Sequence, residues 1–172
     1  IKGKAAIISV GTALAPLLKA GITPDFAATI DFHRASARFM EITKDYPPVP
    51  LVLEPKANWE AVRSHHGPKL VMASDFLERC FKEMDVHKTP LPTATTVAHL
   101  AFYFAEFIGA DPIIFVGQDL SHSYQISHMP GTAYQDSWWP ELNRFDHMEN
   151  HEWDYLLRLR EVLKEDEDIH GN

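Results

Sequence analysis

Short, unbroken apolar runs alternate along this chain with segments whose apolar residues recur at helical spacing. That alternation restricts the possible folds more than any other feature. "AAIISV" (5–10), "DFAATID" (25–31), "VPLVLEP" (49–55), "KLVMAS" (69–74) and "PIIFVG" (112–117) read as strands. Between them, Leu14, Leu17 and Leu18 mark a helix over 12–20 that Gly21 stops, and Ala35, Phe39 and Ile42 share a face over 33–43. "NWEAVRSHH" reads as a short helix capped by Asn58, and 75–84 as another capped by Ser74 or Asp75. Residues 93–109 carry the strongest helical pattern, with Val97, Leu100, Ala101, Phe104, Ala105 and Ile108 on one stripe and Gly109 closing it. Trp153, Leu156, Leu157, Leu159 and Val162 mark a last amphipathic helix. Strands joined through helices are parallel, and a parallel sheet covered on both faces needs no polar alternation within its strands. The pattern therefore predicts an α/β fold. Residues 5–10, 25–31, 69–74 and 112–117 are expected in one sheet, with 95–108 packed on one of its faces.

Composition narrows the class. The 172 residues are the size of one ordinary domain, 45% hydrophobic and 23% charged, with a formal net charge of −8. That balance offers no basic footprint for nucleic acid or an anionic membrane surface. No apolar run approaches the roughly 18 residues of a membrane span. The one cysteine, Cys80, permits no intrachain disulfide and lies in the helical pattern "DFLERCFKEM", where an inert buried thiol is expected. These features point to a reducing, cytoplasmic setting. Both ends read as cut, so the chain is expected to be a piece of a longer polypeptide. "IKGKAAIISV" opens almost directly on a strand, and the acidic "KEDEDIHGN" follows a helix as a solvated end.

In open α/β sheets, ligands bind just beyond the carboxyl ends of the strands. Three loops fall there: Gly11 and Thr12 after the first strand, Asp31, Phe32 and His33 after the second, and Gln118 to His128 after "IIFV". Gly11 allows close backbone approach. Thr12 stands at a helix N-terminus, where unpaired N–H groups favour a phosphate, or else is an ordinary N-cap. Asp31 and Asp119 each end a buried strand, where a carboxylate is costly unless it is paired or lines a wet cleft. Each could hold a sugar hydroxyl or a cation, or simply cap a helix. His122 and His128 are candidates for a general base, a proton donor or metal ligands. His147 and His151 have the i, i+4 spacing of zinc ligands but lack the glutamate of the zincin signature, so no metal is assigned. His65-His66, before Gly-Pro, is expected in a solvated turn. "YQDSWWPELNRF" is either a loop covering the core or an aromatic lid for a sugar.

Two blocks, "KAAIISVGTALAPLLKAGITPDFAATID" and "TTVAHLAFYFAEFIGADPIIFVGQDLSHSYQISH", resemble the central domain of the motility associated factor (Maf) proteins. These are bacterial flagellin glycosyltransferases that share a domain with an archaeal hydroxymethylpterin diphosphokinase. The resemblance implies a Rossmann-like, three-layer fold similar to bacterial sialyltransferases, and it spans nearly the whole chain. It implies a CMP-activated nonulosonic acid (pseudaminic or legionaminic) as donor, and flagellin Ser/Thr hydroxyls as acceptor. By motif position, Gly11, Thr12, Asp31, Thr95, Thr96 and Gln118 would bind donor, while Asp119 and His128 would serve catalysis. "PTATT" carries threonines where the family has a Gly/Ser-rich turn. The family's domain also begins with a strand and a glycine-rich "GxGPSL"-type loop that cradles the nucleotide. This chain has no such loop and is expected to start at the second strand, to bind donor poorly and to be inactive alone.

Three readings follow. The first is transfer of a nonulosonic acid from its CMP donor, with His128 taking the acceptor's proton. The second is pyrophosphate transfer from ATP to a pterin, the only reading that calls for Mg²⁺, with Asp31 and Asp119 as its oxygen ligands. The third is a non-catalytic module that binds nucleotide-sugar or flagellin. In the catalytic readings, the loop after "IIFV" is expected to bring Asp119 and His128 close to Thr12 and Asp31.

Overall fold

The computed structural model describes residues 3–34, 36–72, 91–118, 120, 128–132, 135 and 138–162. Two compact units emerge, residues 1–116 and 117–172.

The first unit is built on four short strands, β1 (Ile8–Val10), β2 (Phe26–Thr29), β3 (Leu51–Leu53) and β4 (Lys69–Val71). All pair in parallel, in the order β1-β2-β3-β4, with Ile8 opposite Phe26, Ala27 opposite Leu51 and Leu51 opposite Lys69. Helices α1 (Gly11–Lys19), α2 (Ser36–Glu41) and α3 (Trp59–Ser64) fill the three crossovers. Each crossover steps one strand in the same direction. The right-handedness of parallel connections then puts all three helices on one face, and α1 packs on α2, and α2 on α3. Asn58 caps α3 by accepting the N–H groups of Glu60 (2.9 Å) and Ala61 (3.3 Å), as its position in the sequence predicts.

Helix α4 (Val97–Phe107) covers the opposite face, touching β1, β2 and β3. Its apolar stripe works as predicted. Leu100 and Phe104 are buried with Ala28, Ile30, Val52 and Met72, and Phe104 meets the Phe26 ring edge-on at 4.7 Å. The result is an α/β fold of three layers, consistent with a Rossmann-like arrangement. The strands are shorter than the apolar runs that announce them, because ladder pairing ends where the chain leaves its neighbour while burial continues, as at Ile30 and Met72.

One expected strand is absent. Residues 112–117 do not join the sheet, and Ile114, Phe115 and Val116 are 79%, 57% and 89% exposed. An apolar run has strand-like composition, but a ladder also needs a neighbouring edge in register. In the described sheet β1 pairs with β2, β2 with β3 and β3 with β4, and the run is in register with neither outer strand. The run leans instead on α4, where Phe115 stacks with Phe102 at 5.7 Å.

The described part of the second unit contains a 3₁₀ turn (Trp139–Glu141) and helix α5 (Met148–Leu159). The helix predicted from Trp153 to Val162 thus begins earlier, at the N-cap His147. The predicted helix over 75–84 with Cys80, and the acidic end, lie outside the described residues.

Candidate functional site at the carboxyl edge of the sheet

Because β1–β4 are parallel, their carboxyl ends share one edge, and the chain leaves that edge at Gly11, Ile30, Glu54 and Met72. Three of the exits carry predicted or unpredicted polar groups. Gly11 opens α1 and is buried. A Cβ there would stand 3.3 Å from the Met40 Cε and 3.7 Å from the Ala28 carbonyl, so a larger residue would have to displace the end of the Met40 side chain by a few tenths of an ångström. Val10 holds the N-cap position of α1 without a side-chain hydrogen bond. Thr12 therefore is not the cap; it sits in the first turn, beside main-chain N–H groups that a helix leaves unpaired.

Asp31 follows β2, half-buried. Its main-chain carbonyl accepts the Asn58 N–H at 2.7 Å and lies 3.4 Å from the Ser36 hydroxyl, while the Asn58 side-chain amide donates to the Phe32 carbonyl at 3.1 Å. These bonds stitch the loop after β3 to the loop after β2. At the end of β2 the Thr29 hydroxyl is buried without a hydrogen-bond partner.

The loop before α4 is held at this same edge by residues that the sequence reading passed over. Glu54, directly after β3 and only 3% exposed, accepts the Ala94 N–H at 2.7 Å. Lys56 pairs with the other Glu54 oxygen at 2.9 Å and donates to the Ala94 carbonyl at 3.2 Å. The available signal was a carboxylate at the end of a buried run, "LVLEP", with a lysine two residues on. Two residues past Ala94, Thr96 caps α4 by accepting the His99 N–H at 3.2 Å, and the Thr95 hydroxyl lies 2.7 Å from His99 Nδ1. Both threonines are exposed. The structure thus brings Gly11, Thr12, Asp31, Thr95 and Thr96 into one unit, on elements that meet the carboxyl edge. Such an edge, with two helix starts and hydroxyls, can hold a phosphate-bearing ligand.

Gln118 and His128 belong to the second unit. Gln118 is exposed, and the His128 ring lies 6.3 Å from that of Tyr155 on α5. Asp119 and His122 lie outside the described residues. His151 stacks on Trp138 at 5.4 Å, and its Nε2 is 3.4 Å from an Asp146 oxygen, whereas His147 is the N-cap residue. Trp139 stays exposed. Among the described residues no three His, Cys, Asp or Glu side chains are grouped to hold a metal ion. No described helix is long and apolar enough to cross a membrane.

One expected surface residue is internal. His65 is buried, with Nε2 2.7 Å from the Val49 carbonyl, while His66 remains exposed. The turn itself is solvated at His66 and Pro68, as expected; only the His65 ring turns inward, onto the Val49 carbonyl.

Residues 1–125 match the family model described as 6-hydroxymethylpterin diphosphokinase MptE-like. No curated protein and no solved structure matches the chain.

Proposed function

The chain belongs to the MptE-like family, and from that premise we propose that it forms the donor-binding part of a transferase acting on a nucleotide-linked donor. The observation that carries this reading is the anchoring of Ala94 to Glu54, which sets the first turn of α4 at the carboxyl end of β3. Thr95 and Thr96 then stand at the same sheet edge as Thr12 and Asp31. Phosphate oxygens suit unpaired helix N–H groups and hydroxyls, and Asp31 suits a ribose or sugar hydroxyl.

Within this reading, the donor is a CMP-activated nonulosonic acid and the acceptor a flagellin Ser/Thr hydroxyl. Support comes from the blocks 4–31 and 95–128 and their likeness to the Maf proteins. The acceptor oxygen attacks the sugar's anomeric carbon and the bond to the CMP phosphate breaks. His128 takes the acceptor's proton, and the helix N-termini stabilise the departing phosphate. Asp119 orders the loop or a sugar hydroxyl, and Gln118 adds a donor contact. The family description favours a second reading, in which a pterin hydroxyl attacks the β-phosphorus of ATP and AMP leaves. Mg²⁺ would there neutralise phosphate charge, with Asp31 and Asp119 as candidate oxygen ligands, each on its own unit.

Calorimetry with CMP, and with ATP plus Mg²⁺ in the presence or absence of 6-hydroxymethylpterin, decides between them. Tighter binding of CMP is expected. Preference for ATP with Mg²⁺, followed by AMP release when pterin is added, would replace the glycosyl reading. Binding of neither nucleotide would remove the donor site from this chain. Where glycosyl transfer to flagellin is measurable, His128→Ala is expected to abolish it without lowering thermal stability. Normal transfer would take His128 out of the mechanism.

A further inference from the structure

We propose that Glu54 and Lys56 are positioning residues for the donor: by gripping Ala94 from both of its main-chain groups, they fix the first turn of α4 where a donor phosphate is bound. The inference rests on the nucleotide-donor reading above.

The three groups form a closed ring. The Ala94 N–H donates to Glu54 Oε1 at 2.7 Å, Lys56 Nζ lies 2.9 Å from Glu54 Oε2, and the same ammonium donates to the Ala94 carbonyl at 3.2 Å. Ala94 is 1% exposed. A carboxylate buried to this degree is expensive, and even a paired one generally adds less stability than an apolar residue of the same shape. What a buried ion pair does supply is fixed geometry. Ala94 precedes the N-cap Thr96 by two residues, so little slack separates the grip from the N–H groups that open α4. The ring connects β3 to a loop forty positions further along the chain, and it sets the height and direction of that helix start against the strand ends.

Charge gives Lys56 a second consequence. Paired with its ammonium, the Glu54 carboxylate presents no net charge to an arriving phosphate. Without Lys56 an uncompensated anion would stand beside the phosphate, and Coulomb repulsion in a partly dry site would oppose binding. The two residues should therefore affect affinity by different routes. Glu54 acts through the Ala94 N–H, and Lys56 acts mainly by cancelling the carboxylate.

The test uses CMP as probe, with affinity by calorimetry and Ala94 amide exchange by NMR, on the whole protein and on Glu54→Ala, Glu54→Gln and Lys56→Met. Losing a hydrogen bond to a charged group predicts about tenfold faster Ala94 exchange and about tenfold weaker CMP binding in Glu54→Ala. Glu54→Gln keeps an acceptor and should recover most of the exchange protection. Lys56→Met should weaken CMP binding more than its loss of exchange protection accounts for, and most strongly at low salt. A purely structural role would lower the unfolding temperature and leave the affinity of the folded protein unchanged. CMP affinity within twofold of the parent in both Glu54→Ala and Lys56→Met would overturn the proposal while leaving the donor reading intact. Should Glu54→Ala not fold, Lys56→Met alone decides in the same way, since Lys56 is partly exposed. If the parent protein binds neither CMP nor ATP, the donor reading falls and the positioning role falls with it.

Discussion

Nε2 of His65 lies 2.7 Å from the carbonyl oxygen of Val49, inside the first unit, although the two residues are sixteen positions apart. The carbonyl can only accept, so Nε2 carries the proton and donates. Nδ1 is then the bare nitrogen of a neutral imidazole, buried and without a hydrogen-bond partner.

Protonating that ring would bury a charge beside Lys69, whose ammonium donates to the His65 carbonyl at 3.2 Å, and near His66. Burial is the main cause of a pKa held below the ordinary 6.5; the Val49 hydrogen bond is the next largest influence and opposes it, while the charges of Lys69 and His66 add smaller pushes in the same direction as burial. The folded protein therefore binds this proton less readily than the unfolded chain. Stability contributed by the neutral ring is present above the unfolded value and is lost as pH falls from there toward the folded value. Urea unfolding at pH 7.5, 6 and 5 should show stability declining over that interval, and His65→Gln should flatten the decline. An equal slope in the variant would assign the pH dependence to other groups.

Gly67 is the tightest position near that contact. A Cβ built on it would stand 2.2 Å from the Val49 carbonyl oxygen and 2.8 Å from His65 Nε2. The obstacle is backbone, which cannot rotate away as a side chain would. Gly67→Ala is expected to cost about 1–3 kcal/mol, the usual range for overpacking, despite the gain in chain entropy that such a change brings elsewhere. Denaturant midpoints of the two proteins measure it. A stabilised alanine variant would mean that the turn has room the structure does not show.

Two apolar positions after residue 100 should respond in opposite ways. Phe104 is buried against Phe26 and the sheet, and Phe104→Ala should cost about 3–5 kcal/mol. Val116, 89% exposed, should tolerate serine within about 0.5 kcal/mol. Thermal or chemical unfolding of both variants checks the pair. A large loss from Val116→Ser would restore residues 112–117 to a buried strand and overturn their placement outside the sheet.

Much of the architecture follows from local pattern. Unbroken apolar runs and helical stripes dictate a parallel, helix-covered sheet, because period and crossover length are properties of neighbouring residues. Asn58 is legible for the same reason, since a cap bonds N–H groups only two or three positions ahead. The carboxyl-edge rule placed Thr12 and Asp31 where the chain leaves its strands. Tertiary structure decided the remainder. No periodicity indicates that Glu54 will accept an N–H from Ala94, that the His65 ring will turn inward onto the carbonyl of Val49, or that Gly67 will have no space for a methyl group. Nor does the composition of Ile113–Val116 reveal whether an edge in register lies beside it. Hydrophobicity measures the gain from burial, and caps act within a turn, but a long-range partner depends on which loops and edges the whole chain brings together.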